Sequence, residues 1–114
     1  MKCVIVPVDG SPEVQEIHGE AFRHLVHHFP DGFDGIRLGN GVIGYVGDCS
    51  LVDGSPANVR GLAVTDACYR KAAGRDYHAD VRGPMVILGV TRGGSEKSVP
   101  DNFIAEHFPT LAEG

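Results

Sequence analysis

The chain has no apolar run longer than a few residues. The longest covers residues 85–88 with Val90 just beyond, far short of the about 20 that a membrane helix needs, so no membrane span is expected. Cysteine is scarce and odd in number. Cys3, Cys49 and Cys68 form no CxxC pair, which argues against a disulfide framework and for a reducing cytoplasm. The opening MKCVIVPVDG is not expected to be a signal peptide: it has one lysine, and its apolar run is broken by Pro7 and Asp9.

Basic charge is too thin for wide nucleic-acid binding. Ten Lys and Arg stand against fifteen Asp and Glu, net −5, and that acidic excess is too small for a DNA mimic. The charge is uneven. Residues 1–57 hold three basic and eight acidic groups, whereas residues 60–97 hold seven basic and four acidic. Aromatic residues interleaved with basic ones are few. Tyr69 and Tyr77 lie among Arg70, Lys71 and Arg75, where a ring packed with its hydroxyl wet is the simpler reading than a stacking platform.

Apolar residues are 42% of the 114, enough for one folded domain with one core. Sixteen glycines and seven prolines make the chain turn-rich, below the roughly 25–30% of low-complexity sequence. The stretch RGPMVILGV, residues 82–90, reads as the central strand. It lacks alternation, so both of its faces are expected to be covered. Pro84 fits only its start, and Gly89 inside it implies a bulge or a close backbone approach.

Around this strand the pattern predicts an α+β single domain, residues 1–114, with a mostly antiparallel sheet of about five strands and two or three helices. Residues 2–8 and 13–18 read as a hairpin around Asp9-Gly10-Ser11-Pro12. Residues 19–29 read as a helix with Phe22, Leu25, Val26 and Phe29 on its buried stripe and His24, His27 and His28 on the opposite face. Residues 33–38 and 42–46 flank Gly39-Asn40-Gly41, the strongest hairpin signal in the chain. Residues 47–57 read as a loop anchored by Leu51 and Val52. Residues 58–64 fit strand or helix. Residues 65–73 fit a helix, with Thr65 as its cap and Gly74 as its stop. Residues 91–97 read as a loop, and Ser98 to Asp101 as a capping box opening a helix that buries Phe103, Ile104 and Phe108 and ends at Pro109.

Several motifs match by letter and fail by context. Gly39 to Gly44 spells GxGxxG, but β-branched residues and Tyr45 follow where a dinucleotide site needs a helix to open. GVTRGGSEKS, residues 89–98, misses a P-loop because Lys97 is displaced and Glu96 would repel phosphate; anion binding at a helix start by Ser98 is the reading left. His24 and His28 stand four apart as metal ligands do, without an HExxH glutamate or a third ligand, so no metal is expected. Ser50, Ser95 and Cys49 lack a GxSxG elbow, and no catalytic residue is assigned.

The order of pieces, VIVPVDG, VQEI, FRHLVHHF, GIRLGNGVIGYVGD, GSPANVRGLA, GPMVILGV and VPDNFIAEHF, resembles a domain-of-unknown-function family of actinobacteria, their phages and mobile elements. Two recurring boxes carry the resemblance: Ser55-Pro56-Ala57-Asn58 with Ala63 beyond, and the strand from Gly83 to Gly89. The resemblance implies an α+β protein of a bacterial cytoplasm, often phage-encoded, with no activity assigned. It makes Asn58 and Arg60 the residues to watch.

These readings together predict a non-enzymatic accessory protein that binds a host protein through a sheet edge or the histidine-bearing helix. The alternative is a module for an anionic small molecule such as a nucleotide signal, with Asn58, Arg60 and Ser98 as ligand contacts. No cofactor is expected. An exposed edge strand would invite a homodimer. A deep pocket lined by two or more polar groups would be the first sign of an enzyme.

Overall fold

A computed structural model describes residues 1–39, 41–48, 54–75 and 80–112. Along the chain these form β1 (Lys2–Val6), β2 (Glu13–Glu16), α1 (Ala21–His28), β3 (Phe33–Gly39), β4 (Val42–Gly47), α2 (Val59–Ala73), β5 (Met85–Val90), β6 (Glu96–Lys97), α3 (Asp101–His107) and α4 (Pro109–Ala112). The sheet order is β2-β1-β5-β4-β3, with β6 paired to the end of β5, and every pairing is antiparallel. The architecture is α+β, as the sequence predicts. The two-residue β6 and the single-turn α4 add to the expected elements.

β5 occupies the middle of the sheet because its side chains are apolar in both directions. Met85 and Ile87 face one way and Val86 and Leu88 the other, and none of the four has exposed surface. Burial of each contributes roughly 1.5–3 kcal/mol before entropy is counted. Met85 and Ile87 share a cluster with Val64 of α2, Phe103 of α3 and Phe108, with Leu111 of α4 packed against it, so three helices cover that face. Val86 and Leu88 pack with Cys3, Ile5 and Tyr45 beneath Ala21, Leu25 and Phe29, so among the described residues α1 is the helix that covers the other. Gly89 marks a close approach: a Cβ there would collide with the Ser98 carbonyl oxygen.

Both predicted hairpins form. Lys2 to Ile5 pair with Glu16 to Glu13, and Phe33 to Gly39 pair with Gly47 to Val42. The letter-perfect GxGxxG therefore runs into strand β4, while Asn40 of its turn lies outside the described residues, as do Cys49, Ser50, Leu51, Val52 and Tyr77. β1 stops at Val6, before Pro7, and β2 at Glu16.

Four local expectations change. The stripe of α1 is rolled: Ala21, Leu25 and Phe29 are buried, whereas Phe22 is 61% and Val26 40% exposed. His24 and His28 are half-buried, beside the inward stripe rather than opposite it. The spacing 21, 25, 29 with 24 and 28 is as helical as 22, 25, 26, 29, and only the sheet beneath selects between them. Second, residues 59–64 are helical, and Asn58, not Thr65, caps α2: its Oδ1 accepts from the Gly61 N–H at 2.8 Å. Thr65 is buried in the helix and donates to the Gly61 carbonyl at 2.7 Å. Gly74 ends α2 in the left-handed region (φ 71°), as expected.

Third, Ser98 caps no helix. α3 starts at Asp101 without a side-chain cap, and the Ser98 hydroxyl accepts from the Lys2 N–H at 2.9 Å. Val99 N–H then donates to Lys2 O at 2.9 Å, so this segment is held against β1 and is drawn away from the helix start. Fourth, Pro109 does not simply stop the chain's last helix, since it opens the short turn of α4.

Candidate functional site

The predicted contact residues do not converge. Asn58 is 1% exposed and its amide is spent on backbone: Nδ2 donates to Val6 O at 3.0 Å and to Gly83 O at 2.8 Å, while Oδ1 caps α2. Its own N–H donates to Val81 O, and Gly83 N–H donates to Pro56 O. The two boxes behind the family resemblance thus meet here, in a structural latch between the start of α2, the end of β1 and the lead-in to β5. Arg60 is exposed on the first turn of α2. Ser98 sits at the Lys2 end of β1, opposite the Val6 end that Asn58 holds.

A cleft of about 640 Å³ lies elsewhere, between α2, α3 and the β3–β4 hairpin, and none of the three lines it. That volume falls in the roughly 300–1,000 Å³ range of small-molecule sites. Leu38 and Val42, buried in the sheet, form its apolar floor. α2 brings Cys68 and, one turn on, Lys71; α3 brings Phe103, Glu106 and His107 at the helical spacing that puts all three on one side.

Their polar atoms form a connected group. Cys68 Sγ lies 3.6 Å from His107 Nε2. Lys71 Nζ donates to Glu106 Oε1 at 3.1 Å and to Oε2 at 3.4 Å, and Glu106 Oε2 lies 3.7 Å from His107 Nε2. The Phe103 ring packs against the imidazole with centroids 4.5 Å apart. Burial pushes the Cys68 thiol up to about 11, and the Glu106 charge adds to the rise. Burial likewise holds His107 below the usual imidazole range, against the opposite pull of Glu106. The Lys71 hydrogen bond holds Glu106 below the ordinary carboxylate range. Near neutral pH Cys68 is therefore a thiol, His107 a neutral imidazole and Glu106 a carboxylate.

This arrangement is not that of a cysteine nucleophile. A reactive thiolate needs a lowered pKa, whereas burial and the Glu106 charge raise that of Cys68 against the opposing Lys71 charge, and a triad needs the carboxylate on the imidazole nitrogen remote from sulfur. Here Sγ and Oε2 both face Nε2. What the group offers is directional hydrogen bonding beside an apolar wall. Cys68 is accordingly expected to react with iodoacetamide at pH 7.5 about 10- to 100-fold more slowly in the folded protein than in urea, since a thiol held near 11 carries less thiolate than a free one, and the stronger nucleophilicity of a more basic thiolate offsets only part of that. Peptide mass mapping of timed alkylations measures it.

The sequence pattern missed Lys71, Glu106 and His107 as site residues. The only trace of the last two is their helical spacing from Phe103, in a helix whose buried side the sequence assigns to Phe103, Ile104 and Phe108. Among the described residues, no group of three or more His, Cys, Asp or Glu side chains is arranged to hold a metal ion, and no helix is long and apolar enough to cross a membrane. Comparison with known protein families, curated proteins and solved structures finds no match to this chain.

Proposed function

We propose that the protein is a binding module for a small molecule with an apolar body and a polar group carrying both donor and acceptor. The observation that carries this reading is the cleft itself, an apolar floor of Leu38 and Val42 beside the grouped side chains of Lys71, Glu106 and His107. The sequence predicts host-protein binding first and, as the alternative, a module for an anionic small molecule. In the cleft, Lys71 already neutralises Glu106, so a neutral or zwitterionic ligand that hydrogen-bonds to both fits the pair better than a bare anion. Phe103 and Tyr69 supply aromatic surface on the same walls.

Ala72 and Ala73 are exposed residues that line the cleft, so a tryptophan there fills it without touching the core. A thermal-shift panel of amino acids, nucleosides, nucleotides and aromatic acids tests the reading. A ligand at about 100 times its Kd stabilises by about 2.7 kcal/mol, a shift of several degrees. Ala72→Trp is expected to retain its own melting temperature and to lose that shift. A shift that survives in Ala72→Trp would place the ligand elsewhere.

Docking to a partner protein is the second reading. Exposed Phe22 and Val26, one turn apart on α1, favour it. A partner held there is lost with Phe22→Ser and indifferent to Ala72→Trp.

A further inference from the structure

We propose that α1 is a pH-released cover, lifted from the sheet when His24 and His28 take up protons, so that the apolar face beneath it opens. The proposal is independent of the cleft, which lies on the other side of the sheet.

α1 is the one helix over the face formed by Cys3, Ile5, Val86 and Leu88, among the described residues. It has eight residues, no side-chain cap at Glu20 and no acidic residue in its first turn. A helix this short has little stability of its own, so its buried stripe holds it in place. His24 stands beside that stripe. Its Nε2 is buried with no hydrogen-bond partner among the described residues. The His24 ring lies 4.6 Å from that of His28, and His27 lies 6.1 Å from His28. Protonation of His24 would put a charged N–H where no acceptor waits, next to a second imidazole. Movement of the helix relieves both.

Among the described residues no hydrogen bond compensates a charge on His24 Nε2. On α1 itself, Arg23 and His27 are further basic groups, and the acidic one is Glu20, exposed at the N-cap one turn before His24. In the sheet beneath, Cys3 and Tyr45 are kept uncharged by burial, which raises both. His28 shares a small cavity of about 140 Å³ with Asp31, Asp48 and Arg82. The two carboxylates there favour its charge, as does the C-terminal end of the helix dipole; Arg82 opposes it. For His28 burial outweighs these, with His24 and His27 adding to the effect, and burial also leads for His24. Both imidazoles are thus held below their ordinary range in the docked state. A base whose pKa is lowered on docking binds more protons when released, so docking is at full strength above about pH 6.5 and weakens as pH falls below it. Release would join the exposed Phe22 and Val26 to the uncovered strip of β1 and β5 in one apolar surface.

Hydrogen exchange of the full chain, scaled for intrinsic rates and read by mass spectrometry from pH 7.5 to 5.0, tests this. The amides of α1 are expected to lose protection about ten-fold or more, while β5 and α2 keep theirs. Binding of an apolar dye rises over the same interval. In the double variant His24→Leu, His28→Leu, α1 stays protected at pH 5.0. The double variant His24→Gln, His28→Gln, polar but unable to titrate at either position, provides the same comparison if the leucine variant does not fold. Unchanged α1 protection in the wild type at pH 5.0, equal loss in the variants, or simultaneous loss in every element would each overturn the proposal.

Discussion

Asn58→Ala is expected to cost about 3–5 kcal/mol of folding stability, a large share of the about 5–15 kcal/mol that a domain commonly has. Asn58 joins three parts of the fold through one side chain that is almost wholly enclosed. Alanine removes the α2 cap, worth about 1 kcal/mol, and strands the carbonyls of Val6 and Gly83, each costing about 1–3 kcal/mol when buried without a donor. The effects share one site and do not simply add. Urea unfolding followed by far-ultraviolet circular dichroism measures the loss, since the chain has no tryptophan. The midpoint is expected to fall by at least about 1 M.

Asn58→Asp sharpens the same prediction. The carboxylate keeps the cap but turns a second oxygen toward two carbonyl oxygens. The folded state then favours the protonated acid, so the folded pKa lies above the unfolded value of about 3.9. This variant is expected to be relatively most stable below that pH and to lose stability as pH rises through its folded pKa. A pH-independent difference from the wild type would mean that the two amide hydrogen bonds do not hold this junction together.

Gly89→Ala is expected to cost about 3 kcal/mol or more and to detach β6. The added Cβ meets the Ser98 carbonyl oxygen, with Lys97 Cγ at 2.9 Å and the Ser98 carbonyl carbon at 3.1 Å. That backbone cannot yield freely. Gly89 pairs with Lys97 on one side and Val42 on the other, and Val99 is tied to Lys2. Overpacking against fixed backbone lies at the upper end of the usual 1–3 kcal/mol. Gly93→Ala is the control: its Cβ meets only Thr91 Oγ1 at 3.8 Å, and a change within about 0.5 kcal/mol is expected. Equal denaturation midpoints for the two variants would show that the close approach at Gly89 has no energetic weight.

Gly89 illustrates what the chain order could reveal. A glycine inside an apolar strand signals that something lies close, but it does not say what. Asn58 was picked out for its box and read as a contact residue; the same amide, once folded, has its donors and its acceptor engaged with backbone. On α1, two stripes were equally helical in the sequence. The flat apolar face of β1, β4 and β5 selected the one with Leu25 and Ala21, turned Phe22 outward and drew His24 in.

Residue order alone determined the elements with local causes: the two hairpins from their glycine turns, the fully buried strand from its unbroken apolar run, the stop of α2 at Gly74, and the burial of Phe103, Ile104 and Phe108. Tertiary structure decided the cleft. Cys68 and His107 are 39 positions apart, and no period or turn rule links them, because helical and strand periodicities record only which face of an element is buried. Which two faces meet, and therefore which side chains share a wall, depends on packing between elements distant in the chain.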